Sequence, residues 1–186
     1  MNRPLISILF VISASSVSAI SITEVEGKFV CDGILSEQEC VLKYEAALMK
    51  SDKSLIQREG KKLLVRLKNG GYFRIDDENQ GYNALEIVGL GKYLVLREQY
   101  WEGHTWHLLD LETGEILETK GYPLFSPNNQ KFVCSQRDLS AGYSPNVLSV
   151  YVIKEGKPVS VFSIPPGEDD WGPGNVEWVN DAKIKF

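Results

Sequence analysis

Histidine is nearly absent from this chain, basic residues never gather into a run, and no long apolar stretch occurs beyond the N-terminus. The 186 residues hold only two histidines, His104 and His107. Residues three apart on a strand point to opposite faces, and no third histidine or cysteine lies near them. A zinc site is therefore not expected. Lys and Arg number 20 against 25 Asp and Glu, a formal charge of −5. Without a basic cluster to neutralise phosphates, nucleic acid and anionic membranes are poor partners. There is no G-x-S-x-G elbow, H-E-x-x-H helix or phosphate-binding glycine loop. The segment "DDENQG" sets Asp76, Glu78 and Gln80 at the first, third and fifth places of a calcium loop. It offers Ile87 where the bidentate glutamate belongs, and so reads as a solvated turn. No cofactor, metal or catalytic residue is expected, and the chain is read as a non-enzyme.

The apolar stretch that does occur runs from Leu5 to about Val17, behind Arg3 and ahead of Val17-Ser18-Ala19. This is the layout of a signal peptide cleaved after Ala19. The run is shorter than the roughly 20 residues that span a bilayer and is broken by serines. With the first cysteine at Cys31, no lipid anchor is expected. The mature protein is predicted to be periplasmic or secreted, and slightly more acidic than the precursor.

Three cysteines in an exported chain leave one over. Cys31 and Cys40, in "CDGILSEQEC", lie close enough to close a small loop, and an oxidising compartment favours the bridge. Such a loop contributes about 2.5 to 3 kcal/mol in the chain-entropy view. Cys134, in "KFVCS", reads as a small buried apolar residue. Between them, Ser36 and Glu39 have capping-box spacing, and Val41, Tyr44 and Leu48 form one helical stripe. Residues 20–60 are thus an N-terminal segment with one helix tied by the disulfide.

Residues 61–186 change to a period of two. "KKLLVRLKNGGYFRID" puts Leu63, Val65 and Leu67 on one face and Arg66 and Lys68 on the other, around the Asn69-Gly70 turn. "TWHLLDLETGEILET" repeats this around Gly114, and "VLSVYVIKEGKPVSVFSI" around Gly156. Turn glycines about 40 residues apart mark a stacked β repeat. After each hairpin comes a turn and a strand: "IVGLGKYLVLRE", "LFSPNNQKFVCS" and "VEWVNDAKIKF". On this alignment Lys92, Lys131 and Lys183 are equivalent, as are Phe125 and Trp178.

The middle copy, "FSPNNQKFVC", resembles the FSPDGKxIAF signature of TolB-like and WD40-like (PD40) β-propeller repeats. Phe125, Ser126 and Pro127 match outright, and Asn128-Asn129 replace Asp-Gly, which asparagine's tolerance of positive φ permits. The resemblance implies a mainly β fold of about three antiparallel repeats. Closed propellers need four to eight blades, so the sheets are expected to stay open, to curl into a small barrel or sandwich, or to use the helix as a cover.

Two loops stand out on this scaffold. "RDLSAGYSPN" carries Tyr143, and "PPGEDDWGPGN" sets Glu168, Asp169, Asp170 and Trp171 between Pro-Gly breakers. Exposed aromatics beside charge suit a partner interface, while the same rings folded back would plug open sheet ends. The expected function is a non-catalytic binding or adaptor module for another exported protein. The alternatives are an inhibitor or immunity protein for a secreted toxin, and a hydrolase with an unrecognised carboxylate site. If the cysteines are arranged as read, thiol labelling of the native mature protein finds essentially no reactive group. One appears on denaturation without reductant, and three labelled thiols under those conditions would rule the bridge out.

Overall fold

The structure, a computed structural model, describes residues 23–25, 28–30, 37–76, 81–101, 103–139, 145–164 and 171–186, with side chains from Gln38 onward. The predicted signal segment, Cys31, Ser36 of the capping box and residues 77–80 of the calcium-like segment lie outside the described residues.

A short ribbon, β1 (Thr23–Val25) with β2 (Lys28–Val30), precedes one helix, α1 (Glu37–Ser51). Four antiparallel sheets follow in chain order. Sheet I holds β3 (Ile56–Glu59), β4 (Lys62–Arg66) and β5 (Tyr72–Asp76). Sheet II holds β6 (Gly81–Val88), β7 (Tyr93–Gln99), β8 (His104–Asp110) and β9 (Ile116–Thr119). Sheet III holds β10 (Leu124–Phe125), β11 (Lys131–Gln136), β12 (Val147–Lys154) and β13 (Lys157–Ile164). Sheet IV has only β14 (Glu177–Asn180) and β15 (Lys183–Lys185). Each sheet is an up-and-down meander with its strands in sequence order, and none closes into a barrel. The fold is a mainly β open stack with one N-terminal helix. Its first sheet begins at Ile56, ahead of the residue-61 boundary drawn from the sequence, because the turn at Gly60 adds β3 to the first hairpin.

Two apolar cores lie on the two faces of sheet II. On one side Leu94, Leu96 and Leu109 meet Leu63, Val65 and Ile56 of sheet I. On the other, Tyr93, Val95, Trp106 and Leu108 meet Phe132 and Cys134 of sheet III. Strand β7 is therefore buried on both faces and reads as a continuous apolar run, "YLVL", instead of alternating. Each such side chain taken wholly from water contributes about 1.5 to 3 kcal/mol. The α1 stripe divides between the cores: Val41 and Tyr44 join the second, Leu48 the first.

Backbone-directed hydrogen bonds join each sheet to the next. Lys68 N donates to Leu111 O (2.7 Å), the Tyr93 hydroxyl to Gly156 O (2.9 Å) and Trp178 Nε1 to Leu124 O (2.9 Å). Gly121, between sheets II and III, has φ +103°, and a Cβ there would collide with the Ser135 carbonyl. The turn of the middle copy closes through its own side chains. Lys131 N donates to Ser126 Oγ (3.1 Å), Gln130 N to Asn128 Oδ1 (3.0 Å), and Asn129 takes φ +58°. The Ser-Pro-Asn-Asn wording thus has a local reason.

One alignment made from sequence is corrected by the ladders. Leu111 N donates to Lys92 O and Ile153 N to Gln130 O, both at 2.9 Å, so Lys92 corresponds to Gln130, not to Lys131. Tyr93 holds the lysine's place in sheet II. Phe125 pairs with Phe132 and Trp178 with Ile184, which puts Phe125 and Trp178 at corresponding positions and keeps Lys131 aligned with Lys183.

The helix is fastened at the edge strand β6. Glu45, buried on α1, receives Arg58 Nε (2.8 Å) and Nη2 (2.9 Å) as a fork, and its Oε2 accepts the Ala84 N–H (2.9 Å) beside the bulge in β6. Arg58 also donates to the Tyr82 carbonyl. Removing one partner from a buried pair leaves the other charge stranded. Glu45→Ala is expected to cost about 3 kcal/mol in chemical denaturation. A loss under about 0.5 kcal/mol, the range of surface changes, would show that the clamp is incidental.

Candidate interaction surface

The meander topology sorts the connections to two ends of the stack. One end carries the turns at Gly70, Gly114 and Gly156, together with those that open β7, β11 and β15. It carries several ion pairs: Lys92 sits 3.3 Å from Asp110 and 3.2 Å from Glu112, Lys68 lies 3.6 Å from Glu112, and Lys157 lies 2.8 Å from Glu115. The other end gathers the β7–β8 turn, the 137–146 loop and the segment leading into β14.

That second end exposes apolar surface. Trp101 is 97% exposed, with Leu139 and Tyr100 beside the same connections at 40% and 38%. The turn beneath Trp101 is held in several ways. Tyr100 N donates to Gly103 O (2.7 Å), and Gln99 Nε2 donates to Tyr100 O (2.7 Å) and Gly103 O (2.9 Å). The Tyr100 hydroxyl donates to Glu98 Oε2 (2.8 Å), which also meets His107 Nε2 at 2.8 Å. Burial alone would raise the Glu98 carboxyl, but hydrogen bonds from Tyr82, His107 and Tyr100 hold it below its ordinary value. An ionised carboxylate only accepts, so Nε2 of His107 carries its proton.

The described ends of the two loops singled out from sequence meet. A Cβ on Gly172 would contact Arg137 and Asn146, and Asn146 Oδ1 accepts the Asp138 N–H at 2.6 Å. Trp171 is half-buried, between the exposed anchor and the plug expected of it. Tyr143, Glu168, Asp169 and Asp170 lie outside the described residues. Trp101 was not singled out from sequence. Its signal was there in "QYWEGH", two adjacent aromatics beside a glycine in a short loop.

The chemistry available elsewhere is divided by sheet II. His104 and His107 fall on opposite faces of β8, as strand alternation requires. Burial, helped by the Arg97 charge, pushes His104 down to about 4. Glu86 is pushed up to about 7 by burial. A raised and a lowered carboxyl together resemble an acid and base pair. Glu86, opposite Val95, lies on the face of the second core, whereas Glu98, three residues on from Val95, lies on the other face. They cannot flank one bond. Among the described residues no three His, Cys, Asp or Glu side chains are grouped as metal ligands. Cys134 is buried in the second core, Cys40 is buried in the first turn of α1, and Cys31 lies outside the described residues.

Comparison with known family models, with characterised proteins and with solved structures returns no match.

Glu86 gives a test of this geometry. Its folded value near 7 stands above the ordinary 4.5 of the unfolded chain. The proton it keeps stabilises the fold fully below about pH 4.5, and this contribution is lost as pH rises through about 7. Glu86→Gln stays neutral throughout, so it is expected to melt higher than the parent at about pH 8 and to converge with it at about pH 4. An equal difference at both pH values would mean that the carboxyl is not held in its neutral form.

Proposed function

We propose that the chain is an exported, non-catalytic binding or adaptor module of propeller-like repeats, whose loop end docks another exported protein. Trp101 carries this reading. A tryptophan left almost wholly in water forgoes the burial its large ring normally gains. Here it stands on a turn fixed by hydrogen bonds, so little conformational freedom is lost when a partner covers it. Trp171, beside the foot of the 137–146 loop, extends the same end. The acidic run Glu168–Asp170 and the net negative charge suit a basic partner, with the carboxylates steering encounter.

Export rests on the first nineteen residues and on the Cys31–Cys40 bridge, both proposals. The repeat reading is supported by the matching strand order of sheets II and III and by corresponding ladder positions in sheets III and IV. An inhibitor of a secreted toxin would use the same surface. A hydrolase draws less support, because the raised carboxyl of Glu86 and the lowered one of Glu98 sit on opposite faces of one sheet.

The test is capture of a basic exported protein by the immobilised mature chain from an extracytoplasmic extract. Trp101→Ala is expected to weaken capture at least about tenfold, or about 1.4 kcal/mol, as an aromatic anchor does. Leu90→Ala, exposed at the opposite end of the stack, is expected to leave it unchanged. Retained binding by the Trp101 variant, or equal loss in both, would overturn the assignment.

A further inference from the structure

Among the described residues sheet IV has two strands where sheets II and III have four. The sheets stack with like positions facing. Trp178 of β14 reaches β10 through Leu124 O, and Asp181 in the β14–β15 turn accepts the Asn128 N–H (2.8 Å) from the corresponding turn of sheet III. Lys131 Nζ donates to Asp181 O (2.8 Å). Sheet IV therefore covers the β10–β11 half of sheet III. A third and fourth strand would lie over β12 and β13.

The surface they would cover is apolar. The register places Val150 opposite Phe162 and Val152 opposite Val159, on the face turned away from Phe132 and Tyr151 and their core. Phe162 is 52% exposed and Val159 is 39% exposed. No described strand pairs with the outer edge of β15. Such an edge is a template for strand addition.

The side chains of β15 limit what can add. Ile184, opposite Trp178, shares the half-buried side of sheet IV, while Lys183 and Lys185 share the exposed side. Lys185 has Glu177 at 3.1 Å across the ladder on its inner flank. A second copy pairing antiparallel through its own β15 would set lysine opposite lysine, which is destabilising. A strand with acidic residues at those places and apolar ones between would pair with both lysines. It would also lay its apolar side over Phe162 and Val159.

We propose that the β15 edge is a strand-addition site for an extended segment of another polypeptide in which acidic and apolar residues alternate. This surface is separate from the loop end, so the two readings fail independently.

The probe is a fluorescein-labelled, capped peptide, Glu-Val-Glu-Val-Glu-Val, beside its Lys-Val counterpart. Anisotropy titration against the full chain is expected to favour the acidic peptide at least about tenfold, with affinity falling as salt rises. Lys183→Glu with Lys185→Glu is expected to reverse the preference, with the fold confirmed by circular dichroism. Trp101→Ala is expected to leave it unchanged. Amide exchange at Lys183–Lys185 should slow on binding. No binding of the acidic peptide, or a preference that survives the charge reversal, would overturn the proposal. So would a free protein that is already dimeric with those amides protected, because the occupant would then be a second copy.

Discussion

The contact on which the rest of the molecule hangs is the carboxylate of Glu45. It takes two hydrogen bonds from Arg58 of β3 and one from the Ala84 N–H of β6, so the helix, the first sheet and the second sheet meet at one charged group. The strand β6 is the edge of sheet II, and an edge amide turned toward a helix instead of water needs an acceptor. Without Glu45 the helix would have to leave that amide unsatisfied or stand away from the sheet. Standing away would open both cores, because Val41 and Tyr44 enter one and Leu48 the other.

An open stack has a price at its two ends. Sheet II is covered on both faces and supplies most of the fully buried large side chains, whereas the outer strands carry exposed apolar residues: Tyr72 at one end, Val159 and Phe162 near the other. Linear arrays of stacked sheets need caps at their termini for the same reason. The helix packs instead at the β6 edge of sheet II and reaches both cores. Beyond sheet III, two strands cover half of the outer face.

The functional reading follows from where the polar and apolar groups are distributed. At the hairpin end, lysines and carboxylates answer one another across successive sheets. At the loop end, a tryptophan stands exposed on a turn braced by Glu98 and Gln99. Rigid presentation of an aromatic is the arrangement that reduces the ordering cost of association, and the raised carboxyl of Glu86 and the lowered one of Glu98 are kept apart by sheet II.

What the sequence by itself determined is what short-range physics controls. The alternation in β4, the glycines of the three hairpins, the stripe of Val41, Tyr44 and Leu48, and the positive φ accepted by Asn129 each depend on neighbours a few residues away. The tertiary structure alone decided the partners of Glu45, whose acceptor role spans 39 residues to Ala84 and which looks from sequence like any helical glutamate. It also decided the ladder that slips Lys92 out of line with Lys131 and the burial that lifts Glu86. The contrast between exposed Trp101 and buried Trp106, five residues apart, was settled there too. Aromatic residues in strand and turn read alike in one dimension. Which of them meets a second sheet depends on how the sheets stack, and stacking is a long-range property that no local pattern records.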